Sequence, residues 1–250
     1  MLLQVIYAGR MEYAAALDLQ QRLVALRKQK RIGDVLVLLE HTPVLTLGRN
    51  AHRGNILATE EELARRGIAI HEINRGGDVT YHGPGQIVGY PILDLRGDFP
   101  GKRGPHLGAV AYVRWLEEVL IRTCGEYGVL TERVAGRTGV WTLPGSSIPE
   151  KKIAAIGVHI SQGITSHGFA WNVTADLRDF SLIVPCGITD RSVTSLELEI
   201  DESRYTMPTL EEARHAVARN FGRIFDRQML WMESVDDLLE SEPLVKGERI

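Results

Sequence analysis

Residues 139–173 decide the fold, and they read GVWTLPGSSIPEKKIAAIGVHISQGITSHGFAWNV. Three stretches within them, 139–143, 153–160 and 167–173, have the apolar content and the length of β-strands. Turn-forming residues at 144–147 separate the first two stretches and predict a hairpin. Successive parallel strands would need a helical crossover between them, for which this segment has no room. The sequence therefore predicts an α/β fold of the α+β type, with a mixed, largely antiparallel β-sheet.

Helical patterns lie on both sides of this segment. Residues 13–27 and 108–127 carry apolar side chains at three- and four-residue spacing, which is typical of amphipathic helices. A third helix is indicated where Thr209 and Glu212 have the spacing of a capping box. The run 35–39 is apolar throughout and predicts a strand that is buried on both faces. Helices are therefore expected to flank the sheet.

Composition narrows the class of protein. The chain has 250 residues, of which 44% are hydrophobic and 24% charged, as is ordinary for a soluble globular protein. A net charge of -3 does not favour a general nucleic-acid binder. The first residues lack the basic start of a signal peptide, and the apolar runs are far shorter than a membrane span. We therefore expect a cytoplasmic protein.

The two cysteines have different surroundings. They do not make a disulfide framework, so each cysteine is either a buried packing residue or a reactive thiol. Cys124 shares a helix face with Leu120 and is expected in the core. Cys186 stands between a proline and a glycine at the end of an apolar run, which suits a nucleophile. A lone cysteine in an apolar stretch is also typical of an unreactive packing residue, and the residues alone leave both interpretations open.

A glycine-rich segment, RGGDVTYHGPGQ at 75–86, is the strongest candidate for a binding site. Its glycines allow the backbone to approach a ligand closely. It lacks the Gly-Lys-Ser/Thr end of a Walker A loop and the helix start of a dinucleotide fingerprint. A set of tight turns is the alternative. The side chains of Arg75, Thr80, Tyr81 and His82 on one predicted loop favour a site.

Two further segments could carry chemistry. Lys151 and Lys152 precede a strand and are either its solvated entry or an inward-facing cation. An inward lysine would favour the thiolate of a nearby cysteine, or lose its own proton and act as a base. Residues 167–173 alternate small and large side chains, which fits either an ordinary strand or a slot for a slender ligand. The histidines match no short zinc motif, so no metal is expected.

Together these segments resemble the octanoyltransferase family, also called lipoyl(octanoyl) transferases or lipoate–protein ligase B. The resemblance runs from HTPVLTLGR at 41–49, through the glycine-rich segment and KIAAIG at 152–157, to PCGI at 185–188. It implies the fold of the biotin and lipoate ligase catalytic domain. It also implies a single catalytic domain over residues 1–250, with a C-terminal helical tail from about residue 205.

The resemblance assigns roles to residues. Cys186 is expected to be the nucleophile that accepts the acyl group, and Lys152 the partner that sets its pKa. Phe169 stands where family members often carry a smaller aliphatic residue, which bears on pocket depth. The acyl pocket is expected to be lined by Arg75, Gly76, Gly77, Asp78, Val79, Thr80, Tyr81, His82, Ala155, Ile156, Gly157, Gly168, Phe169 and Ala170.

The resemblance also implies a reaction, the first step of endogenous protein lipoylation. An octanoyl group would pass from octanoyl-acyl carrier protein to a lysine of a lipoyl domain, through a thioester on Cys186. Attack of a thiolate on a thioester needs no ATP, so no cofactor is expected. Lys152 or His82 would accept the proton of the attacking amine. Backbone N–H groups near Gly77 or Gly157 would hold the oxyanion.

The expected partners are proteins. The acceptors would be lipoyl domains of 2-oxoacid dehydrogenase E2 subunits and the glycine cleavage H protein, with neither nucleic acid nor membrane involved. Because these partners and the carrier protein are acidic, a basic surface is expected at Arg49, Arg53, Arg75 and Arg137. Two alternatives are an ATP-dependent lipoate or biotin ligase, which needs no cysteine, and a non-catalytic acyl-binding module, which should lack Cys186 or Lys152.

Overall fold

A computed structural model describes residues 1–101, 104, 106–143, 149–184 and 192–240. Its strands are β1 (Leu2–Met11), β2 (Asp34–His41), β3 (Val44–Leu47), β4 (Ala69–Glu72), β5 (Val79–His82), β6 (Gln86–Ile92), β7 (Thr131–Val134), β8 (Arg137–Thr142), β9 (Lys152–Ser161), β10 (Ile164–Asn172) and β11 (Gln228–Trp231). Its α-helices are α1 (Tyr13–Lys28), α2 (Glu60–Arg65), α3 (Ala109–Glu126), α4 (Leu196–Glu199), α5 (Leu210–Phe225) and α6 (Val235–Glu240).

Eight of the described strands form a main sheet in the order β11-β1-β2-β6-β10-β9-β8-β7. β1 runs parallel to β2 and to β11, and the other neighbours are antiparallel. A small sheet in the order β4-β3-β5 lies beside it. The predicted mixed, largely antiparallel sheet with flanking helices is confirmed. The predicted hairpin is confirmed as the pairing of β8 with β9, while the turn residues 144–147 lie outside the described ranges.

The main sheet is covered on both faces. On one face α3 and α5 bury a cluster that includes Leu116, Trp171 and Phe221, and Cys124 lies in this core as expected. On the other face α1 packs against β2, β6 and β10. Residues 35–39 are fully buried because alternate side chains enter the two cores, as predicted for a strand covered on both sides. The capping box of α5 is also present.

The largest difference from the sequence prediction is β5. Residues 79–82 were expected in a loop, but they form a strand that pairs with β3. Val79 and Tyr81 point into a small cluster that contains Leu45 and Phe180, which stabilises the strand between its flanking glycines. Strand β1 at 2–11 and its pairing with β11 also had no counterpart in the prediction. Across the described ranges, none of the helices has the length and apolar character that crossing a bilayer would require.

Candidate active site

Two cavities lie along β9, and they bring most of the predicted site residues together. The first, the entrance cavity, has a volume of about 510 Å³ and lies between the glycine-rich segment, the β7–β8 turn and the start of β9. The second, the inner cavity, is a space of about 30 Å³ further along β9 and β10. Arg75 and Ala155 line both. The two cavities therefore adjoin each other.

Lys152 begins β9 and turns inward. Its side chain is 8% exposed, and its ammonium lies 4.7 Å from the centroid of the Trp141 ring, at cation–π distance. Gly139 lies beside it with a φ of +123°, and a Cβ there would lie 2.6 Å from the carbonyl oxygen of Ala154, so glycine permits the close approach of β8 to β9. Lys151 points elsewhere and pairs with Glu199 at 2.9 Å. Of the two lysines, Lys152 is thus the one that lines the entrance cavity.

Cys186 lies outside the described residues, but both ends of its segment are anchored at the entrance cavity. Before it, the N–H of Val184 donates to the carbonyl of Asn55 at 2.7 Å. The Asn55 amide in turn donates to the carboxylate of Asp78, which lines the cavity. After it, the carbonyl of Ser192 accepts from the N–H of Lys152 at 3.0 Å. The chain that carries Cys186 therefore leaves and rejoins the described structure at this cavity.

Arg75 forms part of the cavity wall. It is 8% exposed, and its Nη2 donates to the carbonyl of Thr46 at 2.7 Å and to the hydroxyl at 2.9 Å. The backbones around it are so close that a Cβ on Gly157 would lie 2.8 Å from the carbonyl oxygen of Gly76. Glycine is required at position 157 for this approach. The expectation that Arg75 belongs to a basic surface is wrong, because burial and these hydrogen bonds hold the guanidinium inside.

The other arginines of the expected basic surface differ among themselves. Arg49 and Arg53 are exposed, but Arg53 pairs with Glu72 at 2.7 Å, so its charge is partly balanced. Arg137 lines the entrance cavity beside Lys152. Of the four arginines expected to form a basic surface, only Arg75 and Arg137 line the entrance cavity.

A chain of hydrogen bonds fixes the imidazole of His82. Its Nδ1 lies 2.7 Å from Gln86 Oε1, and Gln86 Nε2 donates to Asn172 Oδ1 at 2.8 Å. Nδ1 must therefore carry the proton. His82 Nε2 lies 3.3 Å from the Thr46 hydroxyl, which accepts from Arg75 and so can direct its own proton to this nitrogen. Burial lowers the pKa of His82 to about 3, so the ring is neutral near pH 7.

The inner cavity combines small residues with neutral rings. Ala155, Gly157, Gly168 and Ala170 line it from β9 and β10. Two tyrosine rings and two histidine rings also line this cavity. Burial lowers the pKa of both His41 and His167 to about 4, so these rings are also uncharged near neutral pH. His41 contacts the cavity-lining tyrosines, with Nε2 2.6 Å from the Tyr90 hydroxyl and its ring centroid 5.1 Å from that of Tyr13. The four rings that line the cavity belong to Tyr13, His82, Tyr90 and His167.

Most predicted pocket residues line one of the two cavities. Val79 and Tyr81 do not, because alternate residues of β5 face opposite sides and these two enter the cluster around Phe180. The ring of Phe169 lies over Gly89 and belongs to the core under α3, although the residue also borders the inner cavity. Lining the entrance cavity are Arg75, Gly76, Gly77, Asp78, Thr80, Ala155 and Ile156, and lining the inner cavity are Arg75, His82, Ala155, Gly157, Gly168, Phe169 and Ala170.

Sequence reasoning missed Tyr13, Asn50, His52 and Tyr90, which also line these cavities. Tyr13 and Tyr90 sit in regular helix and strand patterns, so no signal in the sequence separates them from core residues. The described part of the chain contains no cluster of three or more histidine, cysteine or acidic side chains that could hold a metal ion.

Comparison with solved structures bears on the fold. Lipoate-protein ligase A bound with ATP superposes with a TM-score of 0.68 at 14% identity, covering 96% of this chain and 92% of that one. Biotin protein ligase from Leishmania major in complex with biotin gives a TM-score of 0.52 at 11% identity, covering 98% and 84%. The predicted likeness to the catalytic domains of these ligases is confirmed at the level of the fold.

Comparison of sequences is more specific. A sequence model of the lipoyl protein ligase A/B catalytic domain matches residues 12–222. A protein from Acidobacterium capsulatum named octanoyltransferase is 67% identical over 241 residues, which cover 96% of this chain and 96% of that protein. The chain therefore belongs to the lipoyl protein ligase A/B catalytic domain family and, within it, to the octanoyltransferases.

Proposed function

We propose that this chain transfers an octanoyl group from octanoyl-acyl carrier protein to a lysine of a lipoyl domain, through a thioester on Cys186. The observation that carries the proposal is the inward ammonium of Lys152 in the cavity at which both ends of the Cys186 segment are anchored. The 67% identity to a protein named octanoyltransferase supports the choice of acyl group.

In the first step the Cys186 thiolate attacks the carbonyl carbon of the octanoyl thioester. The new S–C bond forms as the bond to the carrier's sulfur breaks, and the carrier's thiolate takes up the proton of the Lys152 ammonium, which leaves Lys152 as a neutral amine for the second step. An ammonium close to the cysteine favours the thiolate, which is the nucleophilic form. We assign this role to Lys152. The inner cavity, about 30 Å³, is too small for a whole octanoyl chain, so its small residues and neutral rings would receive the apolar end of the chain while the rest lies in the adjoining entrance cavity.

In the second step the ε-amine of the acceptor lysine attacks the acyl-enzyme. An amide bond forms, the Cys186 thiolate leaves, and the amine gives up a proton. His82 is poorly suited to take this proton, because burial lowers its pKa to about 3 and both ring nitrogens have hydrogen-bond partners. We therefore assign the proton to Lys152 and treat His82 as a residue that positions Arg75 and Thr46.

We propose lipoyl domains of 2-oxoacid dehydrogenase E2 subunits and the glycine cleavage H protein as acceptors, in the cytoplasm. The entrance cavity, with a volume of about 510 Å³, leaves room for a lysine side chain beside the acyl-enzyme. Arg137 and Lys152 place positive charge at the cavity, which suits acidic partners.

Mass spectrometry of the intact protein tests the proposal. After mixing with octanoyl-acyl carrier protein, we expect the mass to rise by one octanoyl group, which maps to Cys186 and is released by hydroxylamine. Cys186→Ser should lose the hydroxylamine-sensitive adduct. Cys124→Ala is the matched control and should keep it, because Cys124 is buried in the core and burial raises its pKa to about 12. Absence of an adduct on the unmodified enzyme, with AMP formed from ATP and free octanoate, would instead favour a ligase.

A further inference from the structure

A third cavity lies beyond the inner cavity on the same hairpin. This distal cavity has a volume of about 300 Å³ and lies between α1 and the β9–β10 hairpin. Leu17, Val24 and Ile164 give it an apolar part, and Lys28 and Ser161 lie at its polar side. His167 lines both the inner and the distal cavity, and the two share no other lining residue.

The register of the hairpin sets the order of the three cavities. Lys152 begins β9 at the entrance cavity, and the pairs Ala155–Ala170 and Gly157–Gly168 follow in the inner cavity. The next pairs along the hairpin are Val158–His167 and His159–Ser166, and both His159 and Ser166 line the distal cavity. A slender chain that enters at Lys152 and follows the small residues therefore meets His167 before it can reach the distal cavity.

The backbone and the ring of His167 are held in place. Its φ is +53°, in the left-handed region that residues other than glycine rarely adopt. The N–H donates to Gln20 Oε1 at 2.8 Å, and Nε2 lies 2.8 Å from Asn74 Oδ1. The ring also meets Tyr90 edge to face, with centroids 6.4 Å apart. The contacts with Gln20, Asn74 and Tyr90 thus hold His167 in an unusual backbone conformation and fix the position of its ring.

We infer that His167 is a specificity-determining residue, whose ring ends the acyl site and excludes acyl chains long enough to enter the distal cavity. The inference rests on the proposed acyl transfer and names the class of acyl group that the site accepts, medium-chain saturated groups. Removing the ring joins the inner and distal cavities, and the apolar side of the distal cavity then receives the added methylenes of a longer chain.

His167→Gly tests the inference directly. Glycine adopts a positive φ without strain, so the variant removes the ring and spares the backbone. We expect the ratio of dodecanoyl to octanoyl transfer, measured as initial rates from the two charged carrier proteins, to rise about tenfold or more, because the added methylenes of the longer chain become buried. The affinity for free dodecanoate relative to octanoate, measured by calorimetry, should rise in parallel.

A matched control exists on the same hairpin. Gln162 also has a φ of +53° but lines neither the inner nor the distal cavity. Gln162→Gly makes the same backbone change and should leave the chain-length ratio as in the unmodified enzyme. Adding Ala25→Phe to His167→Gly should reverse the gain, because the exposed Ala25 borders the distal cavity and a phenyl ring there refills it.

Asn74→Ala supplies a second route if the glycine variant fails to fold. Asn74 is exposed, so its loss spares the core, but it frees the ring of His167 to move. We expect a smaller rise of about threefold in the same ratio, as for loss of one hydrogen bond. Ratios unchanged in both folded variants overturn the inference. Fatty-acid binding distinguishes failure of this inference from failure of the proposed function. If the enzyme transfers no acyl group but His167→Gly still raises the affinity for dodecanoate relative to octanoate, only the proposed function is refuted.

Discussion

Strands β9 and β10 bury different kinds of side chain on their two faces. Against α3 and α5 they pack large apolar groups such as Trp171 with Leu116, all fully buried. On the face that carries the inner cavity they present Gly157 and Ala170, and the space above is filled by polar and ring side chains. One face maximises buried apolar area, which stabilises the fold. The other leaves volume for a ligand and holds polar groups in fixed positions, so changes there should affect activity more than stability.

The largest expected effect is on the cavity face, at Lys152. Lys152→Ala should slow overall acyl transfer by about 10²–10⁴-fold, because it removes both the ammonium that favours the thiolate in the first step and the proton acceptor of the second step. Single-turnover kinetics measure the rate, and iodoacetamide labelling of Cys186 near neutral pH should slow as well. Lys151→Ala is the control, since that lysine pairs with Glu199 away from the cavity, and it should change neither. An unchanged labelling profile for Lys152→Ala would remove the lysine from its assigned role.

The opposite face should respond through stability. Leu116→Ala should lower the free energy of unfolding by about 2–5 kcal/mol, because it leaves a cavity in the core under α3. Urea unfolding measures this, and acyl transfer per folded molecule should stay as it was. Val110→Ala on the same helix is the control, since Val110 is 76% exposed, and it should cost less than about 0.5 kcal/mol. Equal losses from both variants would contradict the division of roles between the faces.

A third, smaller effect concerns the pH dependence of the free energy of unfolding, through His41, whose ring contacts the tyrosines that line the inner cavity. Burial lowers the pKa of His41 to about 4. The unfolded chain binds a proton there below about pH 6.5, whereas the folded protein does not until about pH 4, so acidification between these values favours unfolding.

Between pH 7 and pH 5 this single group should lower the free energy of unfolding by about 2 kcal/mol. Urea unfolding at both pH values should therefore show a smaller pH-dependent loss for His41→Gln than for the unmodified protein. His215→Gln, on an exposed position of α5, is the control and should retain the full loss. An identical loss in all three proteins would show that His41 is not the group that titrates.

The smallest effect should come from the Thr46 hydroxyl, which joins Arg75 to His82. Thr46→Val should lower the free energy of unfolding by about 1 kcal/mol, since it removes one acceptor of the buried guanidinium. It should also raise KM for the acyl donor, because Arg75 lines both the entrance and inner cavities. Thr46→Ser retains the hydroxyl and should restore both quantities. A serine variant as impaired as the valine variant would contradict the assignment of both effects to the hydroxyl.

Local patterns were enough to predict much of the fold. The helices at 13–28 and 109–126 follow from the spacing of apolar residues, and the antiparallel pairing of β8 with β9 follows from the short connection between them. β5 escaped prediction because a four-residue strand between glycines has too few residues to show alternation. Its pairing with β3 joins segments that are far apart in sequence, which no local pattern records.

The residues of the candidate site also differ in whether a local sequence pattern could predict them. Arg75, Lys152 and the glycines stood out because such residues are unusual beside buried strands, and they line the cavities. His41 and Tyr90 reach the site only through the packing of β2 against β6, so their contribution depends on tertiary structure. The role of Cys186 stays a prediction that the acylation experiment tests.

The pairing of β11 with β1 has a consequence for synthesis on the ribosome. Residues 12–227 are synthesised between β1 and β11, the strand that completes one edge of β1. At typical elongation rates of about 5–20 residues per second, this edge waits for on the order of tens of seconds. An unpaired strand edge invites pairing with other chains. Nascent copies should therefore need protection at β1, and changes in β11 should lower the yield of soluble protein before they alter the finished enzyme.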